Sequence, residues 1–268
     1  MDLRFEFGEN WTKFSKAVGQ DRVNQAMRSL QDMLEVEDLR GKSFLDIGSG
    51  SGLFSLAATR LGASRVHSFD YDPQSVACTR ELKRRYSPDS DCWTIEEGSV
   101  LDAAYLTGLG QFDIIYSWGV LHHTGNLWQA LENLVPLCAA QGMLALAVYN
   151  DQGGTSRRWR SVKKLYNKGL LPRTLICSFF IPYFVARGLW VDLLGRKSPL
   201  SRYRNYKNER GMSRVRDWLD WLGGYPFEVA RPEAIFDWYR KRGFNLVRLK
   251  TCGGGLGNNE FVFLKCVE

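Results

Sequence analysis

The feature that most constrains the fold is a glycine-rich loop between an apolar strand pattern and a helix pattern. The stretch reads FLDIGSGSGLF over residues 44–54, with glycines at positions 48, 50 and 52. Glycines at this spacing let the backbone turn tightly and approach a ligand closely. The dinucleotide fingerprint GxGxxG needs glycine at position 53, where this chain has Leu53, and the GK[ST] end of a Walker A loop is absent.

The acid that precedes the loop narrows the ligand further. Asp46 stands at the end of the strand pattern, where a carboxylate would repel a phosphate and attract an ammonium group. Together with the glycine spacing, this favours an adenosine without phosphates that carries a cationic group.

Strand and helix patterns alternate as far as residue 150. Runs such as SFLDIG and FDIIYSW indicate strands, and PQSVACTRELKRRY, with proline in its first turn, indicates a helix. The alternation resumes near residue 231 with a helix pattern and two strand patterns joined by GGGLGNN. These patterns predict a doubly wound, mostly parallel α/β sheet with an antiparallel C-terminal hairpin and a largely helical insertion.

Four parts are expected along the chain. They are an N-terminal helical cap (1–40), an α/β core (41–150), a basic and aromatic helical lid (151–230), and a C-terminal helix and hairpin that complete the core (231–268). The longest apolar run of the lid, TLICSFFIPYFVA, is short for a membrane span and contains a proline, so no transmembrane helix is expected.

Four motifs in order resemble those of the class I S-adenosylmethionine (SAM)-dependent methyltransferases. DIGSGSG matches the first motif, and Asp70, at the end of RVHSFD, matches the acid that binds both ribose hydroxyls. EEGSVLD resembles the adenine-flanking motif, although Ser99 replaces the more frequent aspartate. FDIIYSWGVLHHTG resembles the motif that lines the methionine end.

The resemblance covers about residues 40–150 and returns from about 232 to the end. It implies a Rossmann-like fold with a seven-stranded sheet, SAM as the cofactor and S-adenosylhomocysteine as its product. The residues expected to bind the cofactor are Asp46, Gly48, Ser49, Gly50, Gly52, Asp70, Tyr71, Ser99, Val100, Ser117 and Trp118.

The residues after the fourth strand pattern are the candidates for catalysis. Methyl transfer from a sulfonium is an in-line substitution that depends mainly on positioning, and an oxygen acceptor usually also needs a general base. His122 and His123 are the candidate bases, with His122 preferred, and a histidine hydrogen-bonded within a turn is the alternative. Further residues expected to contact the acceptor are Trp11, Tyr149, Asn150, Arg157 and Arg158.

Basic charge is concentrated in the insertion. Residues 151–230 carry 16 Lys and Arg against 6 Asp and Glu, whereas the rest of the chain carries 20 against 23. Basic residues beside apolar and aromatic stretches predict a small-molecule, lipid-linked or anionic acceptor, and contact of the insertion with a membrane surface. We therefore expect a methyltransferase, most simply one that methylates oxygen, in the cytoplasm and peripheral to the membrane.

Two alternatives stay open from the sequence. Interleaved Arg, Tyr and Trp residues also suit RNA, so an RNA methyltransferase is one of them. A SAM-binding module without catalytic activity is the other. The six cysteines form no CxxC pair and there are only three histidines, so no metal site is expected.

Overall fold

A seven-stranded sheet forms the centre of the molecule in the computed structural model, which describes residues 18–195 and 214–266 together with residues 5, 8, 11 and 198. The strand order is β3-β2-β1-β4-β5-β7-β6. Strands β1 to β5 pair in parallel, and β7 runs antiparallel to both β5 and β6. The predicted fold class is confirmed. The strands are β1 (Ser43–Ile47), β2 (Arg65–Asp70), β3 (Trp93–Glu97), β4 (Phe112–Trp118), β5 (Cys138–Tyr149), β6 (Phe244–Lys250) and β7 (Asn258–Lys265).

Helices cover both faces of this sheet. They are α1 (Gln20–Leu34), α2 (Leu53–Arg60), α3 (Pro73–Tyr86), α4 (Ala103–Leu109), α5 (Leu127–Leu134), α6 (Gly154–Tyr166), α7 (Leu170–Leu194), α8 (Arg214–Gly223) and α9 (Pro232–Arg240). One buried apolar cluster joins α1, α2 and α3 to the sheet, and a second joins α4, α5 and α9 to the opposite face. Because apolar surface is removed from water on both faces, the strand ends that carry the site are held rigidly.

Local signals in the sequence explain several element boundaries. The Asp72 carboxylate accepts a hydrogen bond from the Gln74 amide and so caps α3, whose first residue is Pro73. Asp102 caps α4, which the sequence patterns did not predict, by accepting from the Tyr105 amide. Strand β5 begins at Cys138, several residues earlier than its GMLALAVYN pattern indicated.

The longest helix, α7, differs from its sequence-based prediction. It is 25 residues long and continues through Pro182, with an 18-residue window of mean hydropathy 1.5 of which 6% is buried. By length and composition it is one helix that could cross a membrane. The sequence analysis considered the run TLICSFFIPYFVA too short for a membrane span, whereas the helix extends beyond this run at both ends and continues through Pro182. One interior proline costs about 3 kcal/mol, which a long helix can tolerate.

Candidate functional site

The glycine loop folds against the end of the second strand. The amides of Gly48 and Ser49 both donate to the Phe69 carbonyl, at 2.8 and 3.1 Å. Gly48, Gly50 and Gly52 have φ values of 73°, 54° and 76°, a region that side-chain-bearing residues rarely adopt. A Cβ at Gly48 would collide with Val120, and one at Gly52 would lie 2.7 Å from Thr79. Glycine is therefore required both by conformation and by close packing.

Asp70 is held beside this loop by two backbone amides. Gly50 donates to Asp70 Oδ2 at 2.9 Å, and Asp72 donates to Asp70 Oδ1 at 3.0 Å. Burial raises the pKa of Asp70 above its usual range, whereas these hydrogen bonds lower it. Each oxygen keeps further acceptor capacity, so the carboxylate is oriented to receive two hydroxyls of a ribose.

Asp46 lies beneath the loop in a chain of hydroxyl groups. The Trp93 indole donates to Ser68, Ser68 donates to Ser55, and Ser55 makes a short hydrogen bond to Asp46 Oδ2. Burial raises the pKa of Asp46 to about 7. The sequence did not reveal this network, because its members come from four separate elements.

The other predicted cofactor residues differ in their exposure. Tyr71 and Trp118 are open to solvent, with 63% and 42% of their surface exposed. Ser117 is fully buried, and its hydroxyl donates to the Ile47 carbonyl at 3.4 Å. Trp118, as the last residue of β4, therefore presents its ring at the carboxyl edge of the sheet.

The predicted adenine-flanking pair follows the third strand. The Ser99 hydroxyl accepts from the Leu101 amide at 3.2 Å, and Val100 is buried in the core with its carbonyl bound by Asn133. Ser49 contacts Thr79 through a hydroxyl pair at 3.1 Å. These hydroxyls stabilise local turns, and their roles toward a cofactor stay predictions.

Three described residues near the N-terminus, Phe5, Gly8 and Trp11, contact the protein near the site. The Trp11 ring packs against Gly50, so that a Cβ there would lie 2.9 Å from the indole, and Gly8 packs against Asp72. The Phe5 amide donates to the Tyr225 carbonyl at 2.9 Å. Trp11, predicted to contact the acceptor, is thus placed beside the cofactor loop.

His122 and His123 form a short 3-10 turn after β4, and their environments differ. His122 is fully buried, its Nδ1 accepts from the Tyr149 amide at 3.3 Å, and its Nε2 is buried without a partner among the described residues. Burial holds the pKa of His122 well below its usual value. The ring is therefore neutral with its proton on Nε2, so it can donate a hydrogen bond but cannot accept a proton there.

His123 has the opposite tautomer. Its Nδ1 lies 2.6 Å from the Pro226 carbonyl, which can only accept, so the proton is on Nδ1 and Nε2 carries the lone pair. The ring is half-buried. An imidazole oriented by a carbonyl at one nitrogen, with a basic second nitrogen, has the arrangement that a general base requires.

An aromatic group joins this turn to the insertion. The Tyr149 ring stacks on His122 with centroids 3.8 Å apart and also contacts Trp221 and Phe227. Lys163 of α6 is fully buried, with Nζ 4.1 Å from the centre of the Trp221 ring, and it donates to the Trp221 carbonyl. Burial lowers the pKa of Lys163 to about 7.

The remaining predicted acceptor residues lie apart from the histidine turn. Asn150 binds the β6–β7 hairpin. Its backbone amide donates to the Gly257 carbonyl at 2.9 Å, and its side-chain oxygen accepts from the Asn259 side chain at 3.1 Å. Arg157 and Arg158 are exposed on α6. The structure therefore brings Tyr149 to the histidines but leaves both arginines on the outer surface of the insertion.

Sequence reasoning missed the segment that supports the turn. Pro226 accepts from His123, and the Glu228 carboxylate accepts from the amides of Gly125 and Leu127, at 3.0 and 3.1 Å, below the start of α5. Burial raises the pKa of Glu228. The stretch GGYPFE, with two aromatic residues and a proline, could have indicated this segment. The sequence analysis included it in the insertion without giving it a role.

The loop geometry fits SAM. Gly48 and Gly50 have positive φ values that let the loop backbone turn tightly, two backbone amides orient the Asp70 carboxylate beside it, and the Trp11 ring lies against Gly50. A cofactor held there would supply the methyl group on its sulfonium, and the residues of the chain would bind and orient it.

Comparisons with known proteins agree with this geometry. Residues 45–144 match the family described as a methyltransferase domain. The chain is 50% identical over 112 residues to the ribosomal protein L11 methyltransferase of Alteromonas mediterranea, covering 41% of this chain and 34% of that protein. It is 39% identical over 82 residues to the protein of the same name from Methylococcus capsulatus, covering 31% and 25%. The matched region thus spans about a quarter to a third of these relatives.

Solved structures extend the likeness to the whole fold. Magnesium protoporphyrin IX methyltransferase from Synechocystis PCC 6803, with bound S-adenosylhomocysteine, aligns with a TM-score of 0.55 at 15% identity over 96% of this chain and 94% of that one. An O-methyltransferase family protein from Burkholderia thailandensis aligns with a TM-score of 0.55 at 11% identity, over 91% and 57%.

One prediction from the sequence is contradicted by these relatives. They are named for a ribosomal protein acceptor, which opposes the expected small-molecule, lipid-linked or anionic acceptor. The expectation was wrong because it depended on the composition of the insertion, and apolar, aromatic and basic residues suit a protein surface as well as a small anion.

The glycine loop, the held Asp70 and the strand order thus coincide with the matched domain. The chain carries a methyltransferase domain and has the fold of the class I SAM-dependent methyltransferases.

Proposed function

We propose that this protein is a SAM-dependent methyltransferase that acts on a protein acceptor. The methyltransferase activity is supported by the glycine loop and by Asp70, which is held beside that loop within the matched domain. The names of the relatives support the protein acceptor. Because these matches span only part of each relative, it is a proposal that this chain also acts on a protein.

In this proposal His123 is the general base and His122 a neutral donor beside it. His123 is half-buried, and its Nδ1 hydrogen bond to the Pro226 carbonyl places the lone pair of the neutral ring on Nε2. His122 is fully buried and has its proton on Nε2. The geometry thus favours His123 over His122, the residue that the sequence analysis preferred.

The methylated atom is predicted to be oxygen. Mild base followed by acid hydrolysis and separation of the amino acids distinguishes the outcomes, because a methyl ester is released by the base, whereas O-methyl ethers and N-methyl groups stay on their amino acids and elute at different positions. The cytoplasmic location peripheral to a membrane also stays a prediction, which fractionation of cells tests.

The function is tested by methyl transfer to extracts of a strain that lacks the enzyme. Extract is incubated with purified protein and SAM labelled with tritium in its methyl group, and protein, RNA and metabolite fractions are counted separately. We expect label in the protein fraction. Label mainly in RNA would replace this function by RNA methylation, and binding of SAM without label in any fraction would indicate a non-catalytic module.

A further inference from the structure

A groove of about 500 Å³ lies on the face of the sheet that α1 covers. Helix α1 forms one wall, with Arg28 and Asp32, and the β6–β7 hairpin forms the other, with Lys250 and Glu260. The floor includes Phe54 and Trp118. The volume is within the range of about 300–1,000 Å³ typical of ligand sites.

The floor of this groove begins beside the candidate site. Phe54 is the second residue of α2 and follows the glycine loop by two positions, and Trp118 is the last residue of β4. In the motif resemblance, this end of β4 lines the methionine end of the cofactor. The groove therefore reaches the carboxyl edge of the sheet next to the glycine loop, where the motif resemblance leads us to expect the methyl group.

The α1 wall presents a polar helix face to the groove. Gln25, Arg28, Ser29 and Asp32 are spaced at i, i+3, i+4 and i+7 and so share one face. The side chains of these four make no hydrogen bond or ion pair with another described residue. On the opposite wall, Lys250 Nζ is 3.3 Å from Glu260. The α1 wall thus offers both donors and acceptors to an occupant.

An extended polypeptide matches this lining. Its backbone N–H and C=O groups can form hydrogen bonds with the polar side chains of α1. Its own side chains can pack on the aromatic floor. Arg28, Arg248 and Lys250 line the groove with the acids Asp32 and Glu260, and Lys250 is paired with Glu260. Arg248 also lies 4.0 Å from Glu35, so Arg28 is the lining cation without an ion pair among the described residues, which favours a segment with an acidic side chain near Arg28.

The geometry points to this groove as the binding site for the protein acceptor: an extended, acidic segment lies between α1 and the β6–β7 hairpin and presents the methylated residue beside Trp118. The inference rests on the proposed function, since it assigns a place to the acceptor of that reaction. It separates acceptor binding from cofactor binding, because no wall residue of α1 touches the glycine loop in the described contacts.

Two variants of α1 test the groove. Ser29→Trp fills it with a bulky ring, and Arg28→Glu reverses the charge of its wall; both positions are exposed. Lys241→Glu is the matched control, because it reverses an exposed charge just after α9, on the opposite face of the sheet. The readouts are calorimetric affinity for S-adenosylhomocysteine and the initial rate of tritium transfer into the protein fraction of the deficient extract.

We expect both groove variants to lose about tenfold or more in transfer rate, with affinity for S-adenosylhomocysteine within about twofold of wild type. The control should match wild type in both readouts. Unchanged transfer in Arg28→Glu and Ser29→Trp would overturn the groove and leave the proposed function intact. Absence of labelled protein with the wild-type enzyme would overturn both.

Discussion

At the scale of single residues, the site is built from groups whose freedom is removed by backbone contacts. Asp70 is held by two amides, His122 by the Tyr149 amide and His123 by the Pro226 carbonyl. Each contact fixes an orientation before any ligand binds, and such preorganisation reduces the cost of reaching a reactive geometry. The glycines also constrain the loop, since their positive φ values and the close packing of Val120, Trp11 and Thr79 leave no room for a side chain at these positions.

Replacement of Gly48 by alanine should destabilise the protein more than the same change at Gly41. Both residues have a φ of 73°, but an added Cβ meets nothing within 4 Å at Gly41 and collides with Val120 at Gly48. Gly41→Ala should cost about 1–2 kcal/mol from conformation alone, and Gly48→Ala should cost more. Urea denaturation of both variants measures the difference, and equal losses would show that the Val120 contact does not constrain the loop.

Asparagine variants separate the roles of the two histidines. In His123→Asn, the amide nitrogen can still donate to Pro226 while the basic Nε2 is lost, so turnover should fall about 10²- to 10⁴-fold. In His122→Asn, the side-chain oxygen can still accept from Tyr149, and turnover should be largely retained. Affinity for S-adenosylhomocysteine serves as the control in each. Normal turnover in His123→Asn would assign His123 a structural role.

At the scale of elements, the insertion is joined to the core by a small aromatic and basic group. Lys163 of α6 packs on the rings of Trp221 of α8 and Phe227, and both rings contact Tyr149 at the end of β5. Helix α7, also in the insertion, exposes large apolar side chains such as Leu170 and Phe179. The joint therefore determines how the insertion is positioned over the histidine turn.

The buried lysine gives this joint a pH dependence. The pKa of Lys163 is about 7 in the folded protein, against a value near 10.5 in an unfolded chain. Between these values the unfolded chain binds more protons, so this residue makes the free energy of unfolding rise with pH, by up to about 1.4 kcal/mol per pH unit. Below pH 7 the lysine is protonated in both states and contributes no further slope.

Lys163→Met should remove that contribution. Denaturation at pH 7 and pH 9 should show a smaller rise in the free energy of unfolding for Lys163→Met than for wild type. Lys164→Met, one position along on the exposed side of the same helix, is the control and should keep the wild-type slope. Parallel pH dependences of wild type and Lys163→Met would mean that the lysine stays protonated in its aromatic surroundings.

At the scale of the whole molecule, local signals in the sequence predicted the sheet but not the joints between its parts. Alternating apolar runs and the positions of Gly48 and Asp70 were sufficient for the fold class, because strand and helix periodicity are local properties. The contact of Lys163 with Trp221, which are 58 residues apart, has no local signal. The same holds for the groove, whose walls come from α1 and the distant β6–β7 hairpin.

The basic charge lies outside the region that matches known methyltransferases. The insertion holds 16 basic and 6 acidic residues, and the matched domain at residues 45–144 lies entirely outside it. The match therefore includes the glycine loop and Asp70 but neither the basic insertion nor α1.

The most direct test of the account is a calorimetric titration of S-adenosylhomocysteine into wild type, Asp70→Asn and Asp102→Asn. Asp102 is the control, because its carboxylate likewise accepts a backbone amide hydrogen bond shortly after a strand, but from Tyr105 and not from the glycine loop. We predict binding to wild type and to Asp102→Asn, and affinity about 10- to 100-fold weaker in Asp70→Asn, as expected for the loss of charged hydrogen bonds. No binding to wild type, or equal affinity in all three proteins, would contradict the assignment of the glycine loop and Asp70 to the cofactor.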